Sequence, residues 1–342
     1  VSNKGKGGVA SVVTTFMNNA KLNNEYDLTY YHSHEIGGVF LKVLTMLKSY
    51  LEFPLLLLKT RYEVAHIHGS LKGSFFRKSY FLLWLKLFSI PTIYQIHAAK
   101  VDEYFSTLNF AQKKLVEYIF SKYDLALCLG SPWQSVLKSY TKIEWNILYN
   151  PVPQLELNKI KHDFCNFTFM GELSQRKGIK DLLYAFSLAD SNNMVLNVAG
   201  NGDINSLRIL ADELGINQRV NFLGWIDAEQ RERVLEITDV VVLPSYAEGL
   251  PMSMLEAMSA SIPVITTPVG AVEDAITDGI EGILIKPGDI SALSTSLNLL
   301  SENEKLRVAM GDNAKVKFLR HFSDDIVVEA LSSYYNKLSD GQ

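Results

Sequence analysis

The sequence contains very little cysteine, with only Cys128 and Cys165 among its 342 residues. Two thiols are too few for a disulfide framework or for a four-thiolate zinc site. The 21 glycines and 10 prolines exclude a collagen-like or low-complexity chain. With 47% hydrophobic and 20% charged residues, the composition is that of a globular protein.

Long hydrophobic runs are also lacking, which argues against a membrane-spanning segment. The most apolar stretch, from Ile36 to Lys59, is interrupted by Lys42, Lys48, Glu52 and Pro54. The chain begins with Val rather than Met, so we expect a trimmed or incomplete start. Its first residues show no signal-peptide pattern. A cytoplasmic protein is the simplest expectation.

The charge is unevenly distributed along the chain. Residues 1–152 hold 17 Lys and Arg against 10 Asp and Glu, whereas residues 153–342 hold 16 against 27. A basic first half suits an anionic partner such as a phosphate or a lipid headgroup surface. Chance unevenness between two domains remains an equally open interpretation.

The length favours two domains, because a single hydrophobic core rarely serves 342 residues. In the second half, short β-rich runs alternate with helical patterns, as in a parallel sheet covered on both faces. Such sheets bind ligands at the carboxyl ends of their strands. The predicted strands of this half are 167–170, 195–199, 220–223, 240–243, 263–266 and 282–285.

The first half has a similar but less regular pattern. Its predicted strands are 64–68, 91–97, 125–129 and 145–150, and its predicted helices are 9–22, 38–59, 74–88, 103–121 and 133–140. A glycine-rich start, Lys4-Gly-Lys-Gly-Gly8, leads straight into the first helix, and the strand that normally precedes such a loop is missing. The helix over 38–59 could touch a membrane, although core packing is the favoured use of its apolar face.

The clearest motif follows the apolar strand 240–243 and reads Pro-Ser-Tyr-Ala-Glu-Gly-Leu-Pro-Met-Ser-Met-Leu-Glu over residues 244–256. Pro251 suits the first turn of a helix. The backbone N–H groups of Gly249, Leu250 and Met252 then predict an anion site at the start of that helix.

Two carboxylates accompany this predicted helix start. Glu248 lies just before it and Glu256 about one turn inside, so the pair can hold different parts of one polar ligand. A purely structural interpretation is that Glu248 caps the helix and Glu256 lies on a solvated face.

The spacing of these two glutamates resembles the signature of family 4 glycosyltransferases, retaining enzymes of the GT-B fold. The resemblance extends over nearly the whole chain and is most specific in the second half. It rests on 171–178 (GELSQRKG), 200–202 (GNG), 220–224 (VNFLG), 248–258 (EGLPMSMLEAM), 263–270 (PVITTPVG) and 281–284 (EGIL). In the first half it rests on Gly7-Gly8, 66–69 (HIHG), 95–97 (QIH) and Asn150.

The resemblance implies an α/β protein with two Rossmann-like, doubly wound parallel-sheet domains facing a cleft. We expect an acceptor-side domain over 1–152, with its first strand missing, and a nucleotide-sugar domain over 153–322. The proline pair in Asn150-Pro-Val-Pro153 marks the break between them. Residues 323–342 are expected to form a helix that packs back on the first domain.

The resemblance also assigns roles to single residues. Glu248, His97 and Lys177 would act at the reacting sugar and the diphosphate. Glu256 would accept hydrogen bonds from the ribose hydroxyls. The remaining donor-binding residues would be Arg176, Gly249, Leu250, Pro251, Gly8 and Gly7.

One position departs from the family pattern, because Glu172 stands where the family usually has arginine. A carboxylate repels a diphosphate by more than about 1 kcal/mol in a partly desolvated cleft. We expect Arg176 to supply part of the missing charge, unless it is an ordinary solvated residue. The sequence has no Asp-x-Asp pair, and neither a metal nor a cofactor is expected.

The function that follows is sugar transfer from a nucleotide sugar to a saccharide or lipid-diphosphate-linked acceptor in cell-surface polysaccharide synthesis. We expect peripheral contact with the inner membrane and no binding of nucleic acid. A nucleotide-sugar epimerase or a phosphorylase of the same fold remains an alternative, as does a non-catalytic sugar-nucleotide-binding subunit. His66 and His68 share one face of a strand, but a third metal ligand is not visible.

Overall fold

The computed structural model describes residues 7–33, 38–190 and 193–339. The chain divides into two compact units, Val1–Pro151 with Asp324–Gln342 (unit 1) and Val152–Ser323 (unit 2). The boundaries expected from sequence lie one residue away from these. Lys4 and Lys6 of the glycine-rich start lie outside the described residues.

Unit 1 contains a four-stranded parallel sheet in the order β1-β2-β3-β4. Its elements before residue 151 are α1 (Gly8–Asn18), α2 (Ala20–Glu25), α3 (Val39–Lys59), β1 (Ala65–Gly69), α4 (Gly73–Leu87), β2 (Thr92–Ile96), α5 (Val101–Thr107), α6 (Phe110–Phe120), β3 (Leu125–Cys128), α7 (Ser131–Tyr140) and β4 (Trp145–Ile147).

Unit 2 contains a six-stranded parallel sheet in the order β10-β9-β8-β5-β6-β7. Its elements are β5 (Cys165–Met170), a 3₁₀ turn (Gln175–Lys177), α8 (Ile179–Leu188), β6 (Met194–Ala199), α9 (Ile204–Glu213), a second 3₁₀ turn (Asn217–Arg219), β7 (Val220–Gly224), α10 (Ala228–Glu236), β8 (Val240–Leu243), α11 (Met252–Ser259), β9 (Val264–Thr266), α12 (Val272–Ala275), β10 (Gly282–Leu284), α13 (Ile290–Glu302) and α14 (Glu304–His321).

The last described helix is α15 (Asp324–Ser339), which packs in unit 1. The Asn19 side-chain amide donates to the Asp324 carboxylate at 3.2 Å, and the Tyr335 hydroxyl lies 3.0 Å from His66 Nδ1. These contacts tie the last helix to the first two helices and to β1.

The middle strands of unit 2 are continuous apolar runs because both faces of their sheet are covered. All four residues of β8 are fully buried, as are Phe167 and Phe169 of β5. This burial on both faces is why the sequence shows unbroken apolar runs here rather than an alternating pattern.

Two helices predicted as single elements are interrupted in the structure. The helix predicted over 9–22 breaks at Asn19, whose side chain accepts the Leu22 N–H at 3.2 Å and caps α2. The helix predicted over 103–121 breaks at Asn109, which forms a capping box with Gln112 at the start of α6. Asparagine favours such caps over helix interiors, because its amide competes for backbone hydrogen bonds.

The expectation of core packing is wrong for one face of α3. Ser49, Phe53 and Leu57 are buried in unit 1, but Phe40 is 81% exposed and Leu51 is 74% exposed. Among the described residues, no helix combines the length and the hydropathy needed to cross a membrane.

Candidate functional site

Most of the predicted site residues lie where unit 2 reverses its strand order. From the centre of this parallel sheet, the strand order continues as β5, β6, β7 toward one edge and as β8, β9, β10 toward the other. The strands β5 and β8 are therefore neighbours where the order reverses. The loops that follow these two strands therefore meet at one edge of the sheet. Open α/β sheets bind their ligands at such a switch point.

An ion pair joins the two loops at this point. Lys177, after β5, places its Nζ 2.5 Å from Oε1 of Glu248, after β8. Ser245 Oγ donates to the same carboxylate oxygen at 2.6 Å, and Glu248 is only 6% exposed. Burying a carboxylate costs free energy unless the charge is paired. The contacts with Lys177 and Ser245 provide this pairing and hold Glu248 in one orientation.

Arg176 lies beside this pair but is engaged elsewhere. Its Nη2 is 3.0 Å from a Glu172 oxygen, and its Nη1 donates to the Ala247 carbonyl at 2.9 Å. The second oxygen of Glu248 is 3.8 Å from Nη1. Arg176 is therefore next to the cluster, with Glu172 neutralising its charge, so its expected replacement of the family arginine stays a prediction.

A glycine allows the two loops to approach so closely. Gly178 adopts φ +69°, and an added Cβ would lie 2.1 Å from the Pro244 carbonyl oxygen. The Tyr246 N–H also donates to the Arg176 carbonyl at 2.8 Å. A side chain at position 178 would push apart the two loops that bring Lys177 and Glu248 together.

The helix start predicted beside Glu248 is present. α11 begins at Met252 with Pro251 as its N-cap residue at φ −66°. Leu250 and Pro251 are buried, and the Gly249 carbonyl accepts the Ala271 N–H at 2.8 Å. The positive end of the α11 dipole therefore lies next to the Lys177–Glu248 pair.

Glu256 does not lie on a solvated face, so that interpretation of its position is wrong. It is buried within α11, and its Oε1 lies 3.2 Å from Nη1 of Arg231 on α10. Burial raises the pKa of Glu256, and the nearby Arg231 guanidinium opposes that shift. Its ionic partner is thus Arg231 rather than Lys177.

His97 lies in unit 1, where it follows β2. Its Nε2 is 3.1 Å from Nδ1 of His68 at the end of β1, so one imidazole donates to the other. Burial lowers the pKa of His97 to about 4, which leaves the ring neutral near pH 7. The rings of His66 and His68 lie 4.2 Å apart on the same side of β1, as their spacing predicts.

Gly7 and Gly8 lie at the start of α1 in unit 1, with Gly7 as the N-cap residue. A Cβ added at Gly7 would meet no described atom within 4 Å, and its φ of −157° is ordinary extended backbone. Packing of the described residues therefore does not require glycine at position 7.

Sequence reasoning missed two partners of the predicted site. Ser245 lies inside the quoted motif, three residues before Glu248, and that spacing of a hydroxyl and a carboxylate was an available signal. Arg231 lies on another helix, and the sequence offers no pattern that pairs it with Glu256. Within residues 7–33, 38–190 and 193–339, no group of three or more His, Cys, Asp or Glu side chains is arranged to hold a metal ion.

The two parallel-sheet α/β units match solved structures of the GT-B glycosyltransferase fold. Residues 156–317, nearly all of unit 2, match the family model "Glycosyl transferases group 1". Unit 2 therefore carries a domain of that family.

Individual proteins agree with this classification. The lipopolysaccharide 1,6-galactosyltransferase of Escherichia coli K12 is 29% identical over 236 residues, a match that covers 64% of this chain and 65% of that enzyme. This chain therefore spans just under two thirds of that relative.

Solved structures share the fold at low identity. The sucrose-phosphate synthase of Thermosynechococcus elongatus superposes with a TM-score of 0.78 at 18% identity, covering 90% of this chain and 81% of that chain. HepE from Anabaena, in complex with UDP-glucose, superposes with a TM-score of 0.69 at 18% identity, covering 83% and 82%.

Proposed function

We propose that this protein is a retaining glycosyltransferase of family 4. It would move a sugar from a nucleotide-diphosphate sugar to a hydroxyl of a saccharide or lipid-linked acceptor in cell-surface polysaccharide synthesis. The relative from Escherichia coli acts on lipopolysaccharide and the HepE structure contains UDP-glucose, which supports this class of acceptor and donor.

One observation carries the proposal. A buried carboxylate, Glu248, contacts an ammonium group, Lys177, beside the N-terminus of α11 at the switch point of unit 2. The pair places one negative and one positive group side by side in a partly desolvated site. Few ligands require a positive and a negative group side by side. A sugar diphosphate whose sugar–phosphate bond is breaking is one of them.

The chemistry follows from how charge develops in the reaction. When the bond between sugar and phosphate breaks, the diphosphate gains negative charge and the sugar ring gains positive charge. Lys177 and the α11 amide end would stabilise the diphosphate, and such preorganised electrostatics is usually the largest catalytic contribution. Glu248 would stabilise the sugar ring, and the acceptor would attack the face that the diphosphate leaves.

Donor binding requires an exchange of ionic partners. Lys177 is bound to Glu248 in the structure and would turn part of its hydrogen-bonding capacity to the diphosphate, since an ammonium group has three donors. No metal is invoked, because Lys177 and the helix end already supply positive charge. The neutral imidazole of His97, in unit 1, would contact the sugar, and Gly7 and Gly8 would admit the donor close to the backbone.

The test is a product analysis of the purified chain. Candidate nucleotide sugars are first ranked by the thermal shift that they produce, because a ligand that binds only the folded state raises Tm. The ranked donors are then incubated with and without a saccharide acceptor extract, and the anomeric configuration of the product is read by NMR. Transfer with retained configuration supports the proposal, and transfer with inversion contradicts it.

The same assay separates the alternative functions. An epimerase would convert the free nucleotide sugar without an acceptor, and a phosphorylase would require inorganic phosphate. A non-catalytic subunit would bind the donor and never turn it over. Each of these outcomes would replace the proposed transferase.

Replacing Glu172 should strengthen donor binding. In Glu172→Gln, Arg176 loses its neutralising partner and a negative charge leaves the edge of the diphosphate site, so we expect the Kd for UDP to fall about threefold to tenfold. Calorimetric titration measures this Kd, and a steeper dependence on salt should accompany the change. Glu229→Gln is the matched control, because Glu229 forms another exposed pair with an arginine four residues later, Arg233. Unchanged or weaker UDP binding in Glu172→Gln would show that Arg176 does not reach the diphosphate.

Replacing Glu256 should weaken nucleoside binding instead. If its carboxylate accepts hydrogen bonds from the ribose hydroxyls, Glu256→Ala loses a charge-assisted bond worth about 1.5–3 kcal/mol, or at least about tenfold in the Kd for UDP. The wild-type protein should bind 2′,3′-dideoxy-UDP more weakly than UDP by a similar factor in Kd. The variant should bind the two nucleotides with the same Kd. A variant that still prefers UDP by the wild-type factor would exclude the ribose role, and Arg231→Met controls for loss of the ion pair alone.

A further inference from the structure

Unit 1 contains a small cavity at the carboxyl ends of β1 and β2. It is lined by residues 70–72 after β1, residues 98–100 after β2 and one side of α5, and its volume is about 260 Å³. This cavity, hereafter the β1–β2 cavity, directly follows His97, whose N–H donates to the Gly69 carbonyl at 2.7 Å. It therefore lies at the edge where parallel sheets bind ligands.

Two lysines line the β1–β2 cavity, one from each loop. Lys100 Nζ lies 2.7 Å from Oε2 of Glu103 on α5. The pKa of Glu103 is lowered by this hydrogen bond and charge from Lys100, and further by the charge of Lys72. One carboxylate thus faces two ammonium groups, so the residues that line the cavity keep one positive charge in excess.

The start of α4 adds to this positive charge. α4 is fifteen residues long and begins at Gly73, directly after Lys72, and no side chain of the described residues caps it. The first N–H groups of an α-helix have no partner inside the helix. A Cβ added at Gly73 would meet no described atom within 4 Å, so the backbone there is open to a ligand. Such helix starts favour anions.

A buried hydroxyl points to a ligand independently of the helix. Tyr104 lines the cavity and is only 5% exposed, and its hydroxyl has no hydrogen-bond partner among the described residues. Buried polar groups are nearly always paired, so this hydroxyl calls for a partner. Burial raises the pKa of Tyr104, so the group keeps its proton and is available as a donor.

The polar groups of the cavity determine the class of ligand. Two ammonium groups, the Tyr104 hydroxyl and the first N–H groups of α4 are all donors, whereas the Glu103 carboxylate is already engaged by Lys100. A neutral saccharide presents hydroxyls that donate as well as accept, while a phosphate presents several acceptor oxygens and negative charge. The β1–β2 cavity therefore suits a phosphate rather than a neutral sugar.

We propose that the β1–β2 cavity binds a phosphate or diphosphate group of the sugar acceptor. The inference rests on the proposed function, since it names the part of the acceptor that unit 1 would recognise. Because the cavity directly follows His97, which would contact the transferred sugar, Lys72, Lys100 and Tyr104 would select acceptors with a phosphate close to the hydroxyl that receives the sugar. A lipid-linked acceptor and a water-soluble saccharide phosphate both supply this group.

The test is calorimetric titration of inorganic pyrophosphate into the full chain, with UDP in excess to fill the diphosphate site proposed for unit 2. We expect binding, and a Kd at least about tenfold higher for a Lys72→Gly, Lys100→Met double variant, because charge-assisted hydrogen bonds are lost. Lys72 has φ +60°, a conformation that glycine adopts readily, so Tm should not fall at this position. Lys114→Met is the matched control, because Lys114 forms a similar exposed pair with Glu117, three residues later, at 3.2 Å.

Two further variants test the direction of the effect. Glu103→Gln should lower the Kd for pyrophosphate, since it removes the carboxylate that competes for Lys100. Tyr104→Phe should raise that Kd about threefold or more without lowering Tm, because the lost hydroxyl has no partner in the described structure. Affinity equal to that of the wild type in Tyr104→Phe would contradict the role of the hydroxyl.

Competition identifies the source of the phosphate. Displacement of pyrophosphate by farnesyl diphosphate supports a lipid-linked acceptor, and displacement by glucose 1-phosphate alone supports a water-soluble one. The inference is overturned if pyrophosphate does not bind, if the folded double variant binds it as the wild type does, or if neither competitor displaces it. Sugar transfer is not measured in these titrations, so failure of this inference and failure of the transferase proposal are distinguishable.

Discussion

Glu248→Gln should reduce kcat by at least about 100-fold, the range seen when one preorganised electrostatic group is removed from an active site. The amide has nearly the same shape as the carboxylate but cannot offset positive charge on the sugar ring. Lys177 would also lose the anion that holds it at 2.5 Å. Because the freed ammonium remains available to the diphosphate, UDP affinity should be kept or raised.

A rate assay with calorimetric UDP titration measures both effects. Glu281→Gln serves as the control, since Glu281 is another buried glutamate with a lysine partner, Lys317, at 3.4 Å and a backbone donor, Thr277 N–H, at 2.7 Å. That variant should lose stability without losing turnover per folded molecule. Wild-type turnover in Glu248→Gln would remove Glu248 from the proposed mechanism.

Gly270→Ala should destabilise unit 2 and impair turnover together. Gly270 adopts φ +65°, and an added Cβ would lie 2.2 Å from the Glu248 carbonyl oxygen and 2.6 Å from that of Gly249. The left-handed conformation costs alanine about 1–2 kcal/mol, and the clash must also displace the backbone that carries Glu248. We expect a loss of about 3 kcal/mol or more, or on the order of 10 °C in Tm, with a fall in kcat.

Gly279→Ala separates the two contributions. Gly279 has φ +77°, yet an added Cβ there meets nothing within 4 Å, so only the conformational cost of about 1–2 kcal/mol applies. Thermal unfolding and rate assays on both variants make the comparison. Equal losses in the two variants would mean that contact between the Gly270 turn and the Glu248 backbone does not hold the site in place.

The α/β architecture was predictable because unit 2 carries strong local signals. Its central strands are apolar on both faces, and the residues between them repeat at helical spacing. The observed strands of this unit therefore begin and end within one or two residues of the predicted ones. For example, β5 spans Cys165–Met170, where the sequence predicts 167–170. Element ends are set by caps and fraying, which periodicity alone does not locate.

Part of the candidate site was predictable for a topological reason. Lys177 and Glu248 follow two strands of one parallel sheet, and the carboxyl ends of such strands share an edge. The Glu256–Arg231 pair was not predictable, because it depends on how α10 packs beside α11. The exposure of α3 was equally hidden, since a leucine-rich helix has the same composition whether its second face meets protein or solvent.

The helix breaks at Asn19 and Asn109 show a third limit. The apolar spacing continues across both positions, so a reading of periodicity joins the helices. A capping side chain ends a helix by offering the backbone a local hydrogen bond, and this effect outweighs the continued pattern.

The way the chain enters and leaves unit 2 makes that unit separable. Val152 and Ser323, its two ends, form a parallel bridge, and the Val152 N–H donates to the Phe322 carbonyl at 3.3 Å. Unit 2 is thus an insertion whose entry and exit points are neighbours, so excising it would leave Pro151 and Asp324 for a short linker to rejoin. Each half could then be produced as its own polypeptide, and the contribution of either one to ligand capture measured without the other.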